Sequence, residues 1–307
     1  MGRARKKRLK AEFHLVEDEV RDHANSVLDS VRSTIPIPAS LTVFFTADRD
    51  TGQDWACRHL PEEARASFDS VWQGSKEAFY FRWKETRMVI VFLTEENQNI
   101  KEDENDLLGL LLHEIAHAFL DEKGLHSKIK KQYLKGFVRR IDLLDHPRFS
   151  MEEMYPVLVK LGSVSRLALK EHYMLRWLLK HDAGPYVLDN YSSAFPLEAP
   201  PEALAVLLGK KDFWDHLEDF SLLFEYTLIL IAILTPFEDD EAESSRIFVQ
   251  HMEEDYLASV SRMADRLSSV RELLKKEFSY TQAFQEKYFS EVFSVLEGFF
   301  EGNPEKS

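Results

Sequence analysis

The feature that most constrains this chain is the stretch NDLLGLLLHEIAHAFLDE, residues 105–122. Its apolar residues recur at helical spacing, so the sequence predicts a single helix here. His113 and His117 are four residues apart and therefore project from one face of that helix, one turn apart. Glu114 points roughly 100° around the same helix. Two imidazoles and a carboxylate in the most apolar part of a chain are costly unless a ligand satisfies them.

A metal ion is the ligand that this pattern favours. The spacing lets both imidazoles reach one tetrahedral zinc ion, as in the H-E-x-x-H motif. Glu114 then lies beside the metal, where a general base belongs. The alternative is an accidental or vestigial match, because such a string arises by chance in about one in a hundred chains of this length. We predict one Zn²⁺ per chain, with His113 and His117 as ligands.

Composition favours a large, mostly helical, acidic protein. The chain has 307 residues, of which 44% are hydrophobic, with 22 phenylalanines and only 11 glycines. Its net charge is −14, although the first ten residues, MGRARKKRLK, carry six basic and no acidic side chains. The acidic body argues against nucleic-acid binding. The basic start is expected to be a solvated tail, with contact to an anionic partner as the alternative.

The chain lacks the sequence signals of a secreted or membrane protein. Cys57 is the single cysteine, so no intramolecular disulfide forms; it is expected to be a small buried apolar residue rather than a thiolate that masks the metal. No apolar segment follows the basic start. The apolar run at 222–234 contains Glu225 and is shorter than the ~20 residues that span a bilayer, so we predict a buried core helix there. A cytoplasmic location without a membrane span is expected.

Strand signals end before the histidine motif, and helical signals dominate after it. We predict a helix over 13–35, a strand at 41–47, a turn at 48–54, a helix over 61–73 and a hairpin of strands 78–83 and 87–94. Asp103 or Asn105 is expected to cap the motif helix. After the motif helix, at about 105–122, helices are predicted at about 127–143, 151–160, 163–181, 201–210, 215–234, 241–277 and 281–300.

The order of these elements predicts an α+β fold that is predominantly helical. Pro196, Pro200 and Pro201 mark the clearest boundary. We therefore expect a basic tail over 1–10, a core over 11–195 and a helical extension over 196–307.

HEIAH after a short β-rich region resembles the zincin metallopeptidases, over roughly residues 40–190. The resemblance implies a zincin-like core with a small N-terminal sheet, an active-site helix and, here, a C-terminal helical extension. It also implies a zinc-activated water, Glu114 as the base, and a peptide substrate along an edge strand above the site. Strand 87–94 is expected to hold that substrate by backbone hydrogen bonds.

The third zinc ligand has to come from elsewhere in the chain. The branch with H-E-x-x-H-x-x-G-x-x-H is a poor match, because Leu120 and Lys123 stand where it has glycine and histidine. The gluzincin branch instead takes a glutamate from a second helix. Glu171 lies in the middle of an apolar stripe in the predicted helix 163–181, where a carboxylate needs a cation. The alternatives are an ion pair of Glu171 with Arg166 or Arg176, and Glu152, Glu153, His126 or Asp121 as the ligand, although Asp121 is expected to be ordinary surface.

Hydrogen-bond donors for a tetrahedral oxyanion are expected beside Glu171. His172 and Tyr173 are the catalytic candidates, and Tyr186 and Tyr191 are the alternatives. With these residues the sequence predicts a zinc-dependent hydrolase, most specifically a metallopeptidase that acts on a peptide or protein substrate. The alternative is a non-enzymatic helical interaction protein with a structural or vestigial metal site. In that case the amphipathic segment 241–278 would serve partner binding or self-association.

Overall fold

The computed structural model describes residues 9–141, 151–193 and 217–300. Its strands are β1 (Lys10–His14), β2 (Leu41–Thr46), β3 (Ala78–Trp83) and β4 (Thr86–Phe92). Its α-helices are α1 (Asp18–Thr34), α2 (Arg49–Cys57), α3 (Glu62–Gly74), α4 (Gln98–Glu102), α5 (Glu104–Glu122), α6 (Leu125–Tyr133), α7 (Arg139–Ile141), α8 (Met151–Leu179), α9 (Gly184–Ser193), α10 (Leu217–Glu238), α11 (Glu243–Met252), α12 (Ser261–Arg266), α13 (Ser268–Lys276) and α14 (Gln282–Phe300). The predicted helix 201–210 and the boundary prolines lie outside the described residues.

The four strands form one mixed sheet in the order β1-β2-β4-β3. β1 runs parallel to β2, and β2 runs parallel to β4, whereas β3 pairs antiparallel with β4. β2 and β4 are apolar and almost wholly buried, as expected for parallel strands that are covered on both faces. A small sheet within a predominantly helical chain confirms the predicted α+β class.

Helices cover both faces of the sheet. Phe79 and Phe81 of β3 pack with Phe68 and Trp72 of α3 in one aromatic cluster. The alternate residues Tyr80 and Arg82 point the other way and hydrogen-bond to α5. Since side chains alternate along a strand, α3 and α5 lie on opposite faces. The helix that carries the histidine motif is therefore packed directly on the sheet.

The strand expected to hold a substrate is not at an edge. β4 pairs with β2 on one side and with β3 on the other, so its backbone groups are used within the sheet. The prediction that 87–94 presents an open edge is wrong. Within the described residues, β3 has a single neighbour and forms the edge on this side.

Several predicted elements differ from the observed ones. Residues 10–14 form a strand, whereas we predicted that a tail ends at residue 10 and that a helix begins at residue 13. Helix α2 replaces the predicted turn at 48–54. The two helices predicted over 151–160 and 163–181 are one helix, α8. The long helix predicted over 241–277 is broken into shorter pieces, with a π-helical turn at Glu253–Leu257. Helix α9 was not predicted.

The chain divides into two compact units. The first takes Met1–Gly124 and Trp177–Ala194 and contains the sheet, and the second takes Leu125–Arg176 and Phe195–Ser307. Residues 125–176, which we expected in the core, belong to the second unit. The predicted boundary at residue 196 lies outside the described residues and stays a prediction. In the described residues, the second unit is built of helices alone.

Helix α10 is longer than the apolar run at 222–234 from which we predicted a core helix. Its stretch Glu218–Glu238 is long and apolar enough to cross a membrane by length and composition, and within the described part of the chain it is the one helix of this kind. However, 89% of its most apolar window is buried inside the protein. This burial is that of a core helix, as the sequence predicted.

Candidate metal centre

Helix α5 begins as predicted, at an aspartate cap. The carboxylate of Asp103 accepts hydrogen bonds from the backbone N–H groups of Asn105, at 2.7 Å, and Asp106, at 3.3 Å. These contacts satisfy donors that the first turn of a helix leaves open. Most of the helix that follows is buried, because it packs on the sheet. This packing fixes the face that carries the two histidines.

The two histidines of α5 face each other through their Nε2 atoms. The Nε2 of His113 lies 3.2 Å from the Nε2 of His117, and the ring planes are inclined at 70°. Two nitrogens that each lie about 2.05 Å from one tetrahedral zinc ion are roughly 3.3 Å apart. The observed separation therefore fits two ligands of a single zinc ion without any movement of the helix.

Glu171 completes a group that could hold a metal ion. Ligand atoms of His113, His117 and Glu171 all lie within 4.8 Å of one another. His117 is buried, whereas His113 and Glu171 are half-buried, so solvent reaches part of the group. A tetrahedral zinc ion would need the carboxylate roughly 1.5 Å closer than this largest separation, a distance that a side-chain rotation covers. Two imidazoles and one carboxylate are also a donor set that zinc uses in catalytic sites.

Helix α8 brings Glu171 to this position. Six residues beyond Glu171 on the same unbroken helix, Trp177 stacks on Phe119 of α5 with ring centroids 4.7 Å apart. Phe119 itself lies two residues beyond His117. This aromatic pair joins the C-terminal end of α8 to α5.

Glu114 lies next to His113 and is half-buried. It is not among the three residues whose ligand atoms lie together. Its role as general base stays a prediction.

Tyr191 is part of the site, although sequence reasoning placed it only among the alternatives. Its Oη lies 3.2 Å from the Nδ1 of His113, and its side chain is 4% exposed. It is carried by α9, which packs on α5. No local pattern could have singled out Tyr191, because its partner is distant in sequence and its helix was not predicted.

Within the described residues, the hydrogen bonds of the His172 and Tyr173 side chains lie in the second unit. The Nδ1 of His172 lies 3.1 Å from the carbonyl oxygen of Ala232 and 3.0 Å from the Oγ1 of Thr235. Burial lowers the pKa of His172 to about 3, so the imidazole is neutral. The hydroxyl of Tyr173 donates to the carbonyl oxygen of Ser279 at 2.8 Å. These contacts give both residues a structural role; the catalytic role expected for them stays a prediction.

Asp121 is not ordinary surface, contrary to expectation. Its side chain is buried, and its carboxylate accepts hydrogen bonds from the hydroxyl of Tyr80 at 2.7 Å and the guanidinium of Arg82 at 2.9 Å. The hydrogen bond to Asp121, together with its charge, raises the pKa of Arg82. Burial, followed by the hydrogen bond to Asp121, raises the pKa of Tyr80. Asp121 thus anchors the C-terminal part of α5 to strand β3.

The remaining candidates lie apart from the ligand group. His126 is on α6 and Glu152 is exposed near the start of α8, and neither is a member of the group. The side chain of Glu153 lies outside the described residues. Cys57 is buried in the aromatic cluster of α2 and α3, where burial raises the pKa of its thiol. Cys57 is therefore a packing residue, as expected. Tyr186, the other tyrosine candidate, is half-buried on α9.

Comparison with known proteins adds no relative. The chain matches no protein-family model, and no curated protein or solved structure matches it significantly. The resemblance to zincins accordingly rests on the residues and elements described above.

Proposed function

We infer that this protein is a zinc-dependent hydrolase with a zincin-like core, most specifically a metallopeptidase. The observation that carries the proposal is the convergence of His113, His117 and Glu171, whose ligand atoms lie within 4.8 Å of one another. This triad joins the two histidines of an H-E-x-x-H helix to a glutamate of a later helix, which is the arrangement that the gluzincin-like resemblance implies.

The residues of the site divide into ligands and a base. His113, His117 and Glu171 would hold the metal. Zinc bound there would supply Lewis acidity and activate water for attack near neutral pH. Glu114 takes the proton of the attacking water and passes it to the leaving amine.

The edge strand β3 supplies a place for an extended substrate. Among the described residues it is the outer strand on this side of the sheet, the position at which an extended peptide would add as a further strand. Tyr80 and Arg82 of β3 are bonded to Asp121, four residues beyond His117 on α5, which holds β3 beside the helix of the site. We assign to β3 the substrate-holding role that we had expected for strand 87–94.

Metal content tests the ligand set. We expect about one zinc ion per chain in the purified protein by mass spectrometry, and loss or marked weakening of zinc binding in Glu171→Gln. The control is Glu152→Gln, which changes an exposed glutamate of the same helix and should bind zinc as the parent does. A parent that binds no zinc, even after zinc is supplied and the excess removed, would refute the metal centre.

Hydrolysis tests the chemistry separately from the metal. Glu114→Gln should keep zinc but lose activity on a mixture of unstructured peptides by a factor on the order of 10² to 10⁴, because it removes the general base. Cleavage products are detected by mass spectrometry. A Glu114→Gln protein that cleaves at the parent rate would rule out this role.

The alternative is a helical interaction protein whose metal site is structural. The helical composition of the second unit favours it. On this alternative the parent binds zinc, cleaves no peptide, and self-associates or captures a partner through residues 241–278. Sedimentation of the zinc-loaded parent, beside the peptide assay, separates the two proposals.

A further inference from the structure

The two ring nitrogens of His113 have different neighbours. Its Nε2 faces the Nε2 of His117 at 3.2 Å, and its Nδ1 lies 3.2 Å from the Oη of Tyr191. A neutral imidazole carries one proton, on one of these two nitrogens. The neighbour of Nδ1 therefore decides whether Nε2 has a lone pair to offer a metal.

We propose that Tyr191 is a positioning residue that fixes the tautomer and ring orientation of His113 for metal binding. Its hydroxyl oxygen accepts the Nδ1–H of His113, which leaves the Nε2 lone pair directed toward the metal. Metal-binding histidines generally donate their other N–H to an acceptor in this way, and the acceptor is usually a carboxylate, a backbone carbonyl or a water. A tyrosine hydroxyl takes that place here. The inference rests on the proposed metal centre.

The fold holds Tyr191 rigidly enough for this role. The chain reverses after α8 through Asp182, which has a φ of 54°, and the N–H of Ala183 donates to the carbonyl of Leu178 at 3.1 Å. Pro185 then lies in the first turn of α9, where its fixed φ suits a helix start. This tight turn joins the helix of Glu171 to the helix of Tyr191, so one helical hairpin supplies a ligand and the residue that orients another ligand.

If donor and acceptor were exchanged in the Tyr191–His113 hydrogen bond, His113 could not offer its Nε2 to a metal. If Tyr191 donated its hydroxyl proton to Nδ1, the imidazole proton would be on Nε2 and would block the metal. The tautomer of His113 in the metal-free protein therefore decides between a positioning contact and an ordinary buried hydrogen bond.

The first measurement is ¹⁵N nuclear magnetic resonance of the histidine rings in the metal-free parent. We expect His113 with its proton on Nδ1, and a change toward the Nε2–H form or a mixture in Tyr191→Phe. A parent with the proton on Nε2 would overturn the proposal, and this result does not depend on whether any variant folds.

The second measurement is zinc affinity, by competition with a chelator of known affinity. Tyr191→Phe should bind zinc about 10- to 100-fold more weakly than the parent. The control is Tyr288→Phe, which removes another buried tyrosine hydroxyl, one that donates to the carbonyl of Ser165 at 3.0 Å, and should leave zinc affinity unchanged.

The outcomes separate this inference from the proposed function. Equal zinc affinity in Tyr191→Phe and the parent would refute the positioning role and leave the metal centre intact. A parent that binds no zinc would refute the metal centre, and with it the purpose assigned to Tyr191. An equal loss of affinity in Tyr288→Phe would show a general effect of lost stability and would also refute the positioning role.

Discussion

At the scale of single residues, Asp121 fixes the helix of the histidines to the sheet. It is buried at 5% exposure and is bonded to a tyrosine and an arginine of β3. A buried carboxylate of this kind is stabilised by its partners and leaves them unsatisfied when it is replaced. Its contacts concern the position of α5 and not the metal.

We expect Asp121→Asn to lower the free energy of unfolding by about 1–2 kcal/mol, because it removes the charge from two hydrogen bonds. This loss of stability is small for a buried ion pair, because the Arg82 side chain is 34% exposed and water can solvate its charge. Urea unfolding measures the change. The control is Asp29→Asn, which breaks an exposed pair with Arg32 and should cost almost nothing. Equal stability of the two variants would contradict the anchoring role.

The residues of the site were predictable where the signal is local. His113 and His117 follow from their spacing on one helix, and Glu171 follows from a carboxylate within an apolar stripe. Tyr191 and the buried pair of Asp121 were not predictable, because each depends on a partner far away in sequence. Spacing along one element shows which side chains share a face, but not what that face meets.

At the scale of elements, α5 ends at a glycine that its backbone requires. Gly124 has a φ of +74°, and its N–H donates to the carbonyl of Asp121 at 2.8 Å. This left-handed conformation closes the helix and is easily adopted only by glycine. In the described part of the chain, a Cβ built at this position meets no other atom within 4 Å. A substitution there is therefore opposed by the backbone conformation and not by a clash.

Gly124→Ala should therefore lower the free energy of unfolding by about 1 kcal/mol. The matched control is Gly74→Ala at the end of α3, where a Cβ also meets nothing within 4 Å and φ is not positive. That variant should be neutral or slightly stabilising. Thermal or urea unfolding of both proteins gives the comparison, and an equal effect at the two glycines would contradict this account.

The misassigned elements have identifiable physical causes. β1 is a five-residue strand whose partner, β2, lies beyond α1, so nothing local distinguishes it from the helical residues that follow. In α2, Asp48 was read as a turn residue but caps a helix by accepting from the N–H groups of Asp50 and Thr51. Gly52 does not interrupt that helix. A glycine is needed at this position because a Cβ there would clash with the Oγ1 of Thr46.

Gly162 lies in the gap between the helices predicted over 151–160 and 163–181, which the structure joins as α8. A Cβ at this position would lie 2.6 Å from ring atoms of Tyr133 and Phe137. The glycine therefore permits close packing of two aromatic rings and does not interrupt the helix. Composition indicates where a helix is weak, but the packing around it decides whether it ends.

At the scale of the whole molecule, a bound metal should stabilise the folded chain. A ligand that binds only the native state adds about 2.7 kcal/mol when its free concentration is 100 times its dissociation constant. We expect added zinc to raise the thermal midpoint of the parent and of Glu114→Gln, and to have little effect on His117→Ala. Differential scanning calorimetry with and without a chelator measures the shift. An equal shift in His117→Ala would place zinc elsewhere.

The three proposed ligands are unevenly distributed along the chain, and this should affect how long a zinc-loaded protein stays folded. His113 and His117 share one helix, whereas Glu171 follows His117 by 54 residues. We expect Glu171 to join the other two late in folding, because distant segments must first come together. Contacts made after the transition state change the rate of unfolding and leave the rate of folding almost unaltered. Zinc should accordingly prolong the lifetime of the native state without hastening its formation.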